Sequence, residues 1–231
     1  MEEYYVRLGF VYENIPLYQQ ALVLTIRLAL FGILGAIILG FFISLIKYYN
    51  VAILSQICQI YIELSRNTPL LIQLYFLYYG LPKVGVVLPS ELCAIVGLIF
   101  LGGSYMAESF RSGLEAVSKR QYEVGLSIGL SHLQNVFYVI LPQAIAVALP
   151  SLVANIIFLV KETSVFSIVA LADLMYVAKD LIGLYYETDE ALLMLVVAYL
   201  IILLPISLLA RVLERRLHHA GFRTPGAVSG K

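Results

Sequence analysis

An all-α integral membrane protein with five crossings is the fold this sequence predicts, and three observations predict it. Hydrophobic residues make up 61% of the 231 and charged residues only 13%, with a mean hydropathy of +0.91, which is too apolar for an ordinary globular domain. Uncharged windows recur at about 20 residues, the length a helix rising 1.5 Å per residue needs to cross about 30 Å of hydrocarbon. Lysine and arginine gather on one set of connecting segments, the asymmetry that orients a chain in a bilayer.

Taken in order, residues 1–17 are expected to form an external amino-terminal segment. Met1-Glu-Glu lacks a basic n-region and the apolar run after it exceeds a signal peptide's core, so the first span reads as an uncleaved signal. That span covers the uncharged window 28–46 and carries Gly32, Ala36 and Gly40 at every fourth position, a strip on which another helix can approach closely. Residues 51–82 are apolar except for Glu63 and Arg66 and read as one long helix that enters on an amphipathic turn and breaks near Thr68-Pro69. The third span, 92–107, repeats the small-residue device at Gly103 and Ala107, and Glu108, Arg111 and Glu115 at its end have the spacing of intrahelical ion pairs. Window 133–160 is uncharged but divided by Pro142 and Pro150; its first third is assigned to a short surface helix that Pro142 ends, and the remainder to a span. Residues 191–210 form the fifth.

Five crossings place the termini on opposite sides. With the amino terminus outside, the inner segments hold Lys47, Arg111, Lys119, Arg120, Arg211, Arg215, Arg216, Arg223 and Lys231, against Arg7, Lys83 and Lys179 outside, where Glu187, Asp189 and Glu190 gather. This orientation puts the short helix Tyr122-Glu-Val-Gly-Leu-Ser-Ile-Gly129 and its continuation through Leu130 and His132 to Ile140-Leu-Pro142 in the cytoplasm, together with a polar tail at 218–231.

The inventory of catalytic motifs is empty. The sequence has no Gly-x-x-x-x-Gly-Lys-Ser/Thr phosphate loop and no Gly-x-Ser-x-Gly elbow. His132, His218 and His219 have no thiol or acidic cluster around them in sequence, and Cys58 and Cys93 sit in apolar surroundings as packing residues. Ionisable residues within spans carry more information, because charge in hydrocarbon survives only when paired or wetted. Ser151, Asn155 and Glu162 form a polar stripe at spacings of four and seven, and Lys161-Glu162-Thr163-Ser164 ends it. Neighbouring Lys161 and Glu162 point about 100° apart. They suit the carboxylate and ammonium of an amino acid, or else an ion pair to another helix or snorkelling to the headgroups. Glu63, Arg66 and Thr68 form a second polar cluster at a helix break, where freed backbone groups line cavities in transporters or glue helices together.

Segment 123–142 resembles the cytoplasmic EAA loop of ABC importer permeases in Glu123, in Gly129 six positions later and in the Ile140-Leu-Pro142 ending, while Val124-Gly125 stand for the usual paired alanines. The polar amino acid branch of that family is further resembled by Arg66-Asn-Thr-Pro-Leu-Leu-Ile-Gln73, Tyr79-Gly-Leu-Pro82, Glu108-Ser-Phe-Arg111, Leu141-Pro-Gln143 and Leu159-Val-Lys-Glu-Thr-Ser164. Where the family has a Gly-Gln pair before its glutamate, this chain has Lys119-Arg-Gln121.

The resemblance implies a type I ABC importer permease domain over residues 18–217, with a coupling loop at about 112–142, in the bacterial cytoplasmic (inner) membrane. It implies a transport subunit and not an enzyme: two separate ATPase subunits hold the ATP and magnesium and dock on Tyr122, Glu123, Gly125, Gly129, Leu130, His132 and Pro142. An extracytoplasmic substrate-binding protein delivers the ligand, a second permease copy or paralogue completes a central pathway, lipid surrounds it, and no nucleic acid is involved. Polar amino acids would meet Glu63, Arg66, Thr68, Asn155, Lys161, Glu162 and Thr163. An ion-coupled secondary amino acid transporter is the alternative, although no inverted repeat is visible.

Overall fold

The computed structural model describes residues 8–219, with side chains as far as residue 213. Arg7, Arg215, Arg216, Arg223 and Lys231 of the charge argument, His218, His219 and the tail lie outside the described side chains. The described residues are helical and contain no strand. Helix α1 is Leu8–Tyr48, α2 Ala52–Asn67, α3 Leu70–Tyr75 and α4 Ser90–Ala116. Then come α5 Lys119–Ser127, α6 His132–Asn135, α7 Leu141–Glu162, α8 Leu174–Tyr185 and α9 Thr188–His219. Four stretches are individually long and apolar enough to cross a bilayer: Leu8–Tyr48, Ser90–Ala116, His132–Val169 and Thr188–Leu213.

The fifth leg follows from how α1 meets α4. Gly32 faces Leu98, Ala36 faces Gly102, and Gly40 faces Gly103, Met106 and Ala107; the numbers rise together, so the two helices run parallel. A Cβ on Gly32 would stand 2.6 Å from Leu98 Cδ2, and one on Gly40 2.5 Å from Met106 Cβ. The strip expected from Gly32, Ala36, Gly40, Gly103 and Ala107 is therefore the contact itself, held by van der Waals packing because lipid supplies no hydrophobic drive between helices. Two parallel consecutive spans require a return between them. Helices α2 and α3 provide it: Tyr61 donates to Phe100 O at 2.6 Å, and Leu70 and Leu74 meet Gly97, so positions fall along α4 as they rise here. No single piece of this leg has 18 residues, because the chain breaks at Thr68-Pro69 where expected. Helix α7 descends α4 in the opposite sense, with Ala148 against Gly113, Asn155 against Tyr105 and Leu159 against Gly102. Helix α9 starts beside α1, where Tyr18 donates to Ala191 O at 2.7 Å, and follows it.

Two expectations need correction. Helix α1 is unbroken for 41 residues, about 60 Å at 1.5 Å per residue, so residues 8–17 belong to the first helix and not to a separate segment. Pro16 is tolerated inside it because proline's φ is helical and its missing N–H leaves only the exposed Tyr12 carbonyl unserved. Nor does Pro142 end a surface helix. Ahead of it lies a π turn, Val136–Ile140, whose Leu141 N–H reaches back five residues to Val136 O, and the helix passes straight into α7. The same device precedes Pro82, where Leu81 N–H donates to Phe76 O. In both places a Leu-Pro step follows five residues of wider helix, a register shift that accommodates a proline unable to donate.

Beyond α7 a 3-10 turn, Thr163–Val169, and α8 close the end of the bundle at which α4 begins. Asp173 caps α8 by accepting from Tyr176 N at 2.9 Å, and the Leu174 amide donates to Thr25 Oγ1 at 3.4 Å. Asp173 is fully buried and its Oδ2 has no hydrogen-bond partner; burial pushes this carboxyl up to about 6.

Candidate functional site

On α4, Tyr105, Glu108, Arg111 and Glu115 share the face turned away from α1, and α2 presents Gln59, Glu63, Arg66 and Asn67 beside them. All of these but Glu115, together with Lys47 at the end of α1, line an open polar cavity of about 480 Å³. Its walls are knit by charge. Arg111 Nη2 meets Glu108 Oε2 at 3.1 Å and Arg111 Nη1 meets Glu115 Oε1 at 2.8 Å. Arg66 approaches Glu108 at 3.8 Å and lies 4.9 Å from the Tyr105 ring centroid, within cation–π range. Lys47 donates to Gln59, whose amide donates to Glu63 Oε1 at 2.6 Å. Arg66 keeps 42% of its side chain exposed and Arg111, towards the hairpin end of α4, 32%, so this face requires water or another chain against it.

The structure gathers some expected site residues and separates others. Glu63 and Arg66 line the cavity. Asn155 reaches its edge, donating to Tyr105 O at 3.2 Å and Ser109 Oγ at 2.8 Å. Thr68 lies in an apolar notch with Leu64, Ile72, Phe76 and Phe100. Since Leu159 is level with Gly102, the exposed Lys161 and half-buried Glu162 stand about 14 Å along the bundle from the start of α4 and about 9 Å short of Tyr105 at 1.5 Å per residue. They therefore lie beside the middle of α4 rather than at its end. Thr163 is buried; its hydroxyl donates to Val160 O at 2.7 Å and lies 3.5 Å from Tyr199 OH on α9. Sequence reasoning missed Lys47, Gln59, Asn67 and Tyr105, and read Glu108 and Arg111 as a helix-internal pair. That pair exists, but it also faces Arg66. The signal available was the Glu63/Arg66 spacing on α2, which demands a polar neighbour.

At the opposite end of α4 from Glu91, α5 and α6 form a projecting hairpin. Gly129, at φ +89°, ends α5: Leu130 N donates to Gly125 O and Gly129 N to Leu126 O, the paired closure that favours glycine in the left-handed region. Ser131 then caps α6 in a reciprocal box with Gln134. Asn135 is fully buried, donates to Tyr122 O at 2.6 Å, and occupies the space where a Cβ on Gly125 would go. Tyr122 OH and His132 Nδ1 are 2.5 Å apart. Gly125 thus serves the hairpin's own packing and Gly129 its turn, at two of the positions where the resemblance implies docking. Left outward are Glu123 and the exposed apolar side chains Val124, Ile128, Leu133, Phe137 and Tyr138, an apolar cluster of the sort that marks an interaction surface.

Comparison with known proteins places this geometry. Residues 32–219 match the family described as "Binding-protein-dependent transport system inner membrane component". The "Probable amino-acid ABC transporter permease protein PatM" of Vibrio harveyi is 34% identical over 83% of this chain and 87% of its own length. The "Glutamine transport system permease protein GlnP" of Escherichia coli (strain K12) is 30% identical over 90% of this chain and 95% of its own. A structure described as "Crystal structure of an amino acid ABC transporter with histidines" superposes with a TM-score of 0.82 at 32% identity, covering 90% of this chain and 97% of that one.

Proposed function

Because this chain belongs to the family of binding-protein-dependent transport system inner membrane components, we propose that it carries polar amino acids through the cavity between α2, α4 and α7. The observation that carries the reading is the exposed charge of that cavity. Cationic Arg66 and Arg111 alternate with anionic Glu63 and Glu108 on membrane-spanning helices, a wall able to exchange its own ion pairs for the carboxylate and ammonium of a zwitterion. Asn155 continues the polar track towards Glu162 and Lys161. Relatives named for glutamine and amino-acid transport support this substrate class.

A second permease copy, identical or paralogous, would cover the charged face and enclose the pathway. Lys47, Arg111, Lys119, Arg120 and Arg211 lie towards the hairpin end, against Arg27, Lys83 and Lys179 towards the other, which supports a cytoplasmic hairpin and an external amino terminus. Two ATPase subunits, holding ATP and magnesium, would grip the hairpin through Glu123, Val124, Ile128 and Leu133. The opposite end would receive a substrate-loaded binding protein. ATP-driven closure then favours one packing of the legs over another, and the cavity alternates its opening.

The test is uptake of labelled glutamine and histidine into vesicles bearing the chain with its ATPase and binding protein. Uptake should require ATP hydrolysis, survive a protonophore, and fall at least about tenfold in Arg66→Ala and Arg111→Ala. Uptake driven by a proton gradient without ATP would overturn the reading.

A further inference from the structure

The break in the α2–α3 leg leaves a hydrogen-bonding deficit. In an unbroken helix Ser65 O would accept from the amide of residue 69, but Pro69 has none. The Gln73 side chain makes up the loss. Its Nε2 donates to Ser65 O at 3.1 Å and to Thr68 O at 2.9 Å, while its backbone N donates to Pro69 O at 3.2 Å. The side chain is buried, and its Oε1 has no partner, so its polar contribution comes through the donor end. On its other side the same turn is fastened to α4, where Ser65 Oγ donates to Phe100 O at 2.8 Å and lies 2.9 Å from Ser104 Oγ.

Arg66 is the next residue, and its guanidinium is the one that reaches both the Tyr105 ring and Glu108. Any swing of α3 against α2 turns the backbone at 65–69 and re-aims Arg66. We propose that Gln73 is a positioning residue for the cavity: its amide clasps the two carbonyls released at the Thr68-Pro69 break and thereby holds Arg66 in register with Tyr105 and Glu108. The proposal rests on the reading of that cavity as the ligand's pathway.

The assembled importer, reconstituted with its ATPase and binding protein, supplies the test through four variants. Gln73→Leu removes the donor at similar bulk, and should raise the apparent KM for transported amino acid about tenfold and lower Tm by leaving the two carbonyls unpaired, while the basal ATPase rate holds. Pro69→Ala alone restores a backbone donor to Ser65 O. The double variant Pro69→Ala/Gln73→Leu satisfies that carbonyl without the clasp, so it should assemble and keep the raised KM; should Gln73→Leu fail to assemble, this double variant carries the same reading. A normal KM in the double variant would reduce Gln73 to a carbonyl cap and overturn the proposal. An unchanged KM in Gln73→Leu, with Arg66→Ala impaired, would overturn the clasp and leave the pathway standing. Normal transport in Arg66→Ala would remove the pathway reading itself.

Discussion

Single residues decide the hairpin's shape. Gly125 has no room for a methyl group beside Asn135, so Gly125→Ala must displace a buried amide from its bond to Tyr122 O, an overpacking cost of about 1–3 kcal/mol. That outweighs the roughly 1 kcal/mol by which alanine favours a helix over glycine. Gly125→Ala should therefore lower ATPase stimulation by substrate, and Asn135→Ala in the same chain should restore part of it; a single variant with normal stimulation would refute the packing argument. Asp173 offers a second test at this scale. Its carboxyl is raised from 3.8 to about 6 by burial, so the folded state binds the extra proton. The associated stability is complete below about pH 4, declines as pH rises to about 6, and is flat above. The loss is on the order of 3 kcal/mol. Asp173→Asn keeps a capping oxygen and loses the charge, so wild-type Tm should fall relative to it between pH 4.5 and 6.5; parallel Tm profiles would contradict the assignment.

At the scale of elements, both Leu-Pro steps sit on π turns that shift the helical register by one residue. Pro142→Ala supplies the donor whose absence favours that shift. If the turn relaxes to α geometry, Leu133 and Phe137 rotate by about 100° relative to α7, and ATPase co-purification should weaken while the bundle's Tm holds or rises. Unaltered co-purification would show that the shift does not set the hairpin's aim. Here the limits of sequence reading have a physical cause. The four long helices, the break at Thr68-Pro69 and the Gly32/Ala36/Gly40 strip were legible because length, proline and small-residue spacing act locally. The passage of the helix through Pro142 was not, since a π turn has no propensity signature of its own. The level of Lys161 and Glu162 was lost with it, because it is set by Leu159 meeting Gly102 on α4, a contact between helices that the pattern of α7 alone does not contain. The partnership of Arg66 with Tyr105 and Glu108 depends on how α2 is rolled against α4, which one helix's pattern does not contain.

For the whole molecule, the parallel pairing of α1 and α4 forces five legs of alternating direction, and the amphipathic roll of α2 divides the bundle into a lipid face and a charged one. Exposed Leu30, Phe31, Leu34, Ile38 and Phe42 on α1 suit acyl chains, whereas Arg66, Glu108 and Arg111 suit a wet pathway. Everything functional then depends on the hairpin being the place where a separate ATPase pushes. Ile128, 72% exposed near the end of α5, reports on this most directly. Ile128→Cys, in a chain whose Cys58 and Cys93 are replaced by serine, should crosslink to the ATPase subunit in membranes, and ATP with vanadate should change the yield. Absence of any crosslink to that subunit, in a variant that still transports, would contradict the account.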